Sequence, residues 1–225
     1  MIEIKNITKS FGSNQVLKGV SLTLQKGKVY GIVGQNGAGK TTLFRCITGL
    51  ESYRGNIIRS ETELSTSLGY LATNPFLFEK ITGKEYLQLV CNARFIKIEN
   101  FEDQNIFDLP LNQYASTYST GMKKKLALTG CLLQKNKVFV LDEPFNGVDF
   151  QSNIIITEII KKLKELNKIV LISSHIYSTL ADTCDEIHVI DNGTIVKSAK
   201  SGQFTELEDE LKSLTKSKSI ENLKL

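Results

Sequence analysis

The stretch Val29-Tyr30-Gly31-Ile32-Val33-Gly34-Gln35-Asn36-Gly37-Ala38-Gly39-Lys40-Thr41-Thr42 decides how the rest of the chain reads. Val29 to Val33 is a short apolar run of strand length, and Lys40-Thr41-Thr42 opens a helix expected to run through Thr48. Between them, Gly34, Gly39 and Lys40-Thr41 satisfy G-x-x-x-x-G-K-[ST] in the strand–loop–helix setting the pattern requires, with a further glycine at Gly37. Glycine lets successive backbone N–H groups turn inward onto phosphate oxygens, and the helix N-terminus reinforces that field. Lys40 supplies a point charge for the β- and γ-phosphates, and the Thr41 hydroxyl is a ligand for Mg²⁺. The stretch reads as a nucleoside-triphosphate site.

Around this loop, 225 residues suffice for one domain, or one domain carrying an inserted lobe, with a real core. Hydrophobic content of 41% and charged content of 23% are ordinary for a soluble globular protein. No apolar run approaches the roughly 18 residues of a membrane span. Met1 to Lys5 carries no apolar signal region, so export is not expected. Cys46, Cys91, Cys131 and Cys184 are far apart and accompany only two histidines, which suggests reduced, buried thiols in a cytosolic protein rather than a metal site or disulfides. A net charge of +4 suits a membrane surface or an anionic ligand and does not by itself argue for nucleic acid.

In chain order, Ile2, Ile4 and Ile7 predict a first strand, Phe11-Gly12 a turn, and Val16 to Leu24 a second strand, so antiparallel strands precede the nucleotide strand. Gly49 is a helix stop. Asn56–Arg59 and Leu68–Leu71 are short strands separated by a polar stretch. From Asn74-Pro75 the character changes. Thr82–Phe95 predicts a helix with a Thr82/Glu85 capping box, Phe101–Phe107 a short helix, and Ser119 or Thr120 to about Gln134 another. Residues 75–134 thus read as a helical lobe inserted into a sheet-bearing core of 1–74 and 135–200. Val138–Leu141 and Ile169–Ile172 are buried strands, Ser152–Leu166 an apolar-periodic helix, and Glu186–Asp191 with Thr194–Lys197 a hairpin about Asn192-Gly193. Residues 201–225 read as a capping helix, with Phe204, Leu207, Leu211 and Leu214 in register, and then a Lys/Ser-rich tail.

The strand Val138–Leu141 runs into Asp142-Glu143-Pro144, placing carboxylates at the sheet's C-terminal edge, where α/β folds bind ligands. Asp142 is suited to hold Mg²⁺ through water, and Glu143 to orient or deprotonate an attacking water. With this pair in place, the order of motifs resembles the ATP-binding-cassette (ABC) ATPases over residues 2 to about 200. The match is carried by Gly34–Thr42, Gly69-Tyr70-Leu71, Tyr118-Ser119-Thr120-Gly121-Met122, Val138–Pro144, Asn146-Gly147-Val148-Asp149 and Ser174-His175.

The resemblance implies an α/β fold, a P-loop ATPase core with an antiparallel β subdomain and the helical lobe as an insertion. It places Phe11 where the family stacks an aromatic on adenine, with Val16 padding the base or ribose. Gly34, Gln35, Asn36, Gly37, Ala38, Gly39, Lys40, Thr41 and Thr42 would bind the phosphates. Glu143 resembles the catalytic base and His175 the γ-phosphate-sensing histidine. Ser119 and Gly121 resemble the signature motif, which reaches across a head-to-tail dimer to the partner's nucleotide, and Asp149 lies in the loop joining the two sites. Lys123, Lys124 and Lys125 read as a solvated charge run rather than a phosphate contact.

Two motifs depart from the family. The signature begins with Tyr118 rather than Leu and has Thr120 as its third residue, a form associated with drug, lipid and polysaccharide exporters. Thr73 stands where a Gln contacting Mg²⁺ or water is common, so a metal role for Thr73 would run through a shorter hydroxyl. The resemblance thus implies an ATP- and Mg²⁺-dependent ATPase. It would power export as a homodimer or paralogue heterodimer on separate transmembrane permease subunits, at the cytoplasmic face of the membrane and with no nucleic acid partner. The rival readings are a soluble ABC protein acting on ribosomes or DNA, and a low-turnover nucleotide-gated immunity or binding module.

Overall fold

A computed structural model describes residues 1–60 and 67–219, with side chains described through residue 213. The polar stretch at 61–66 and the tail from 220 lie outside the described residues, as does the side chain of Leu214. Among the described residues, nine strands form two sheets. β1 (Ile2–Phe11), β2 (Asn14–Leu24) and β4 (Arg54–Arg59) make an antiparallel sheet in the order β2-β1-β4. The larger sheet takes β3 (Lys28–Val33), β5 (Leu68–Leu71), β6 (Val138–Asp142), β7 (Ile169–Ser174), β8 (Glu186–Asp191) and β9 (Thr194–Lys200) in the order β5-β6-β7-β3-β8-β9. All its neighbours are parallel except β8 and β9.

The apolar runs of β6 and β7 are buried at every position because both faces of this sheet are covered. Strand alternation divides β6 between two cores. Phe139 and Leu141 join the cluster formed with α2 (Gly83–Asn92), α3 (Thr120–Leu133) and α4 (Phe150–Glu165). Val138 and Val140 join the other cluster, with α1 (Lys40–Ile47) and the buried residues of the antiparallel sheet, such as Ile2, Ile4 and Leu24. β3 is divided in the same way, with Val29 and Val33 on the first side and Tyr30 and Ile32 on the second. The phosphate-loop strand therefore runs through the middle of the molecule, and its C-terminal end opens at the rim.

Several predicted boundaries hold. Thr82 and Glu85 exchange both hydrogen bonds of a capping box, Gly49 follows α1 at φ 78°, and Asn192-Gly193 turns β8 into β9 with φ values of 44° and 79°. Others shift for local reasons. The helix expected at Phe101–Phe107 shrinks to a 3₁₀ turn at Glu102–Gln104. The Asn105 side chain there donates to the Leu109 carbonyl and accepts from its N–H, offering the backbone an alternative to helix. α2 ends three residues before Phe95, which adopts φ 56°. α4 starts at Phe150 rather than Ser152, because Asp149 caps it by accepting the Ser152 N–H. β9 continues to Lys200, and a short helix α5 (Tyr177–Ala181) follows β7 where none was expected. α6 (Phe204–Ser219) extends past the end of its apolar spacing.

Between β5 and β6 the chain leaves the larger sheet, forms α2, the 3₁₀ turn at Glu102–Gln104, another at Ala115–Thr117, and α3, and returns to pair beside the strand it left. α3 packs back on β5: a Cβ built on Gly69 would collide with Cys131 and Asn136. These helices share one apolar cluster with the sheet and pack at its edge.

Candidate active site

The phosphate loop emerges from β3 into a region bounded by β2, the β8–β9 turn and β6. Gly37 and Gly39 hold φ values of 86° and 109°, a region that side-chain-bearing residues rarely adopt. A Cβ on Gly34 would strike the Ile190 carbonyl, and one on Gly39 would lie 3.0 Å from Leu17 and 3.3 Å from the Val16 carbonyl. The loop therefore lies directly against the second strand, with the Val16 carbonyl beside it. Its crown at Gln35, Asn36 and Gly37 is exposed, while Ala38, Gly39 and Lys40 are buried beneath. Lys40 Nζ donates to the carbonyls of Gly34 (2.6 Å) and Gln35 (3.3 Å) and stands 3.5 Å from Glu143 Oε1. Thr42 follows on α1, half-buried.

A brace absent from the sequence reading comes from the far hairpin. Gly193 donates its N–H to the Ala38 carbonyl at 3.1 Å and accepts from Lys18 N–H at 2.9 Å, so the β8–β9 turn clips the loop to β2. Asn192-Gly193 is visible in sequence as a turn, but its contact with a loop some 155 positions earlier is not.

Asp142 closes β6 with no exposed surface. Its Oδ2 accepts from the hydroxyls of Thr41 at 2.7 Å and Thr73 at 2.8 Å, and its Oδ1 from Ser173. Ser173 is the register partner of Asp142 on β7, so sheet pairing delivers that hydroxyl. Three charge-assisted hydrogen bonds offset the cost of burying the carboxylate.

Glu143 takes φ 52°, uncommon for a residue with a side chain, and is only 7% exposed. Its N–H donates to Ser173 Oγ at 2.9 Å. Its Oε2 lies 2.8 Å from His175 Nδ1 and accepts the His175 backbone N–H at 3.4 Å. Lys40, Asp142, Glu143 and His175 are thus gathered at the ends of β3, β6 and β7, although the first and last lie 135 positions apart in sequence. The half-exposed His175 ring faces solvent beyond the carboxylate.

The remaining expected residues stand apart from this centre. Phe11 sits at the β1–β2 turn, half-exposed, with Lys9 Nζ 4.7 Å above its ring. Ser119 is exposed and caps α3 by accepting the Met122 N–H at 3.2 Å. A Cβ on Gly121 would be 2.5 Å from the Gly147 carbonyl, so the start of α3 rests against the loop after β6. Asp149 accepts from Ser152 N–H, Ser152 Oγ and Lys125 Nζ, and these bonds hold its carboxyl below the usual carboxylate range. Tyr118, the unusual first signature residue, is buried and donates to the Pro110 carbonyl at 2.7 Å.

The solvated charge run expected at Lys123–Lys125 is corrected. Lys124 is 2% exposed and donates to the carbonyls of Glu143 (2.8 Å) and Asn146 (2.6 Å), while Lys125 pairs with Asp149 at 3.1 Å. The helix turns its second lysine inward over the turn that bears Glu143, a direction that a run of identical residues conceals.

The donor set suits a nucleotide with a hard cation. Thr41, Thr73 and Asp142 offer only oxygen, and no group of three or more His, Cys, Asp or Glu that could hold a metal occurs among the described residues. A cation here would have to complete its shell with phosphate oxygens and water, as Mg²⁺ does in nucleotide sites. The four cysteines are buried and free. Among the described residues no helix is long and apolar enough to cross a membrane.

A family model described as "ABC transporter" matches residues 17–146, more than half of the chain. The uncharacterized ABC transporter ATP-binding protein YhcH of Bacillus subtilis is 31% identical over 211 residues, covering 87% of this chain and 68% of that protein. The lantibiotic transport ATP-binding protein SrtF of Streptococcus pyogenes is 32% identical over 208 residues, covering 87% of this chain and 89% of its own length. Among solved structures, an ATP binding subunit of an ABC transporter superposes with a TM-score of 0.81 at 25% identity, covering 96% of this chain and 99% of that one. A dimeric ATP-binding cassette in a post-hydrolysis state, bound to ADP and Pi, superposes with a TM-score of 0.79 at 20% identity, covering 89% of this chain and 99% of that one.

Proposed function

The chain belongs to the ABC transporter family of ATP-binding cassettes, and from that membership we propose that it is the ATP-hydrolysing subunit of an exporter, working as a dimer on separate membrane-spanning subunits. The observation that carries the reading is the buried Glu143, held between Lys40 of the phosphate loop and His175 just past the end of β7, at the sheet's rim.

ATP is the substrate. Its phosphates would be cradled by Gly34–Thr42, with Lys40 turning from its own loop carbonyls to the β- and γ-oxygens. Adenine would stack on the face of Phe11 that Lys9 leaves free, beside Val16. Thr41 and Asp142 are the residues that would hold Mg²⁺, with Thr73 and Ser173 fixing the Asp142 carboxylate; the cation would supply charge stabilisation to the transferred phosphoryl group. Glu143 accepts the proton of the attacking water, and His175, already hydrogen-bonded to that carboxylate, aligns it and senses the γ-phosphate.

One chain provides half of the donors. Ser119, Gly121 and the N-terminus of α3 point outward at an exposed corner and would complete the nucleotide site of a second chain, with Asp149 in the connecting loop. The dimeric cassette among the superposing structures supports this arrangement. A groove beside Thr73, lined by Pro75, Phe76, Leu77, Tyr114 and Lys123, is the surface proposed for the membrane subunit. Phe76, which lines the groove, exposes 79% of its area, and Phe78, edge-on to Phe76 at 5.4 Å between centroids, exposes 57%; two adjoining exposed aromatics suit a partner surface. The lantibiotic transport role in the name of SrtF supports the export direction. The chain would act peripherally at the cytoplasmic face, as one cassette with its helical lobe at residues 75–134.

The test is steady-state ATP hydrolysis with and without the multi-spanning protein that co-purifies with the chain. Turnover should require a divalent cation and change several-fold on reconstitution. Turnover that no membrane protein alters contradicts the transporter reading.

A further inference from the structure

Lys124 stands out among the buried polar groups because the chemistry of ATP hydrolysis gives it no task. Its ammonium is carried on α3, five residues after Ser119, and reaches the backbone of the turn whose carboxylate His175 bonds. There it donates to the Glu143 carbonyl at 2.8 Å and the Asn146 carbonyl at 2.6 Å. The Glu143 carbonyl also accepts the Asn146 N–H at 3.1 Å, so the ammonium caps a closed turn over residues 143–146. This is a costly way to fill space, since a methionine would occupy the same volume without burying a charge. Burial pulls the lysine's pKa down, and only the nearby carboxylates of Glu143 and Asp142 oppose that pull. The turn it caps needs support, because Glu143 holds φ 52°, a left-handed conformation that persists in a non-glycine residue only where its surroundings over-determine it. Two groups do so: Ser173 holds the Glu143 N–H from the sheet, and Lys124 holds its carbonyl from the helix. The helix is seated on the same loop at further points, with Gly121 against Gly147 and Lys125 on Asp149.

We propose that Lys124 is a positioning residue that locks the strained turn bearing Glu143 to the helix whose N-terminus presents Ser119 and Gly121. The carboxylate serving one nucleotide and the helix end offered to the other then move as one body. This rests on the two-site reading above and goes beyond it by naming the part that couples the sites. Three donors on a flexible stem suit the task, because they engage two carbonyls at once without demanding the planar geometry of a guanidinium.

The test compares the full-length wild type with Lys124→Met, which keeps the volume and removes the donors, and Lys124→Arg, which restores charged donors. Each is assayed for ATP turnover and for binding of a fluorescent ATP analogue, below the melting temperature of the least stable variant. Lys124→Met should lower kcat about 30-fold or more while KM and analogue affinity stay within about threefold, and Lys124→Arg should recover at least a third of the lost factor in logarithmic terms. A kcat within threefold of wild type in Lys124→Met overturns the proposal, and so does an equal loss of binding and turnover. If Lys124→Met does not fold, Lys124→Gln, which keeps one donor group, takes its place under the same criteria, with amide exchange at Glu143, Phe145 and Asn146 as the second readout. Faster exchange at those amides than at α1 supports the lock, and unchanged exchange overturns it. A wild type that neither binds nor hydrolyses ATP would instead remove the underlying reading, which the wild-type arm detects by itself.

Discussion

The hydroxyl of Thr73 lies 2.8 Å from Oδ2 of Asp142, the same oxygen that Thr41 reaches at 2.7 Å. Thr73 therefore acts on the carboxylate proposed to hold Mg²⁺, and it opens the loop that lines the exposed aromatic groove. Thr73→Val keeps the shape and removes a hydrogen bond to a buried charge, a loss of about 1.5–3 kcal/mol. We expect a melting temperature lower by several degrees and a severalfold higher Mg²⁺ concentration for half-maximal hydrolysis. An unchanged Mg²⁺ titration would separate Thr73 from the cation site.

His175 bonds to Glu143 with its Nδ1 and its backbone N–H, and among the described residues no hydrogen bond joins it to the phosphate loop. Truncation should therefore affect the chemical step more than nucleotide capture. His175→Ala is expected to lower kcat about 100-fold and to leave ATP affinity within about threefold. Equal losses of both would remove His175 from catalysis.

Much of this site was legible because its parts are local in sequence. The G-x-x-x-x-G-K-[ST] spacing needs one strand, one loop and one helix, and β6 announces itself as a short apolar run ending in two carboxylates. Partners supplied by the register of distant strands and helices were not legible. Ser173 faces Asp142 only because β6 and β7 pair Asp142 with Ser173, and Gly193 reaches Ala38 only through the β8–β9 hairpin. Lys124 was misread for a related reason. Charge patterning treats three consecutive lysines alike, whereas the 100° step of a helix points each in a different direction. Asp149 shows the converse: its capping bonds to Ser152 are a local rule that could have set the start of α4.

His188 is 5% exposed, stacks on Tyr30 at 6.2 Å between centroids, and bonds Ser198 through Nδ1 at 2.7 Å. Burial holds its pKa below 6.5, opposed by the charge of Glu186. Between the folded and unfolded values the unfolded chain carries the extra proton, so His188 contributes stability above about pH 6.5 that is lost on acidification. In melts at pH 7.5 and 5.5, the wild type should lose more stability than His188→Phe, which keeps the stacked ring. A parallel pH response in the two proteins would contradict this.

Burial raises all four thiol pKa values, that of Cys46 to about 11 and those of Cys131 and Cys184 to about 12, with Cys91 also shifted upward. The thiolate form is therefore disfavoured near neutral pH, so reaction with a maleimide is slow even before steric shielding counts. Mass spectrometry should find the native chain essentially unlabelled over a period in which urea-unfolded chain takes up four labels. Rapid native labelling at any of the four would place that cysteine at the surface.

Glu143→Gln tests the account most directly. The amide keeps the shape of the turn but cannot take the water's proton, so bound ATP should persist and hold two chains together through their phosphate loops and the Ser119–Gly121 helix ends. Light scattering during size exclusion should show the variant as a dimer in saturating Mg-ATP and as a monomer in ADP. A variant that binds ATP and stays monomeric would contradict the claim that two copies of this chain complete each other's sites.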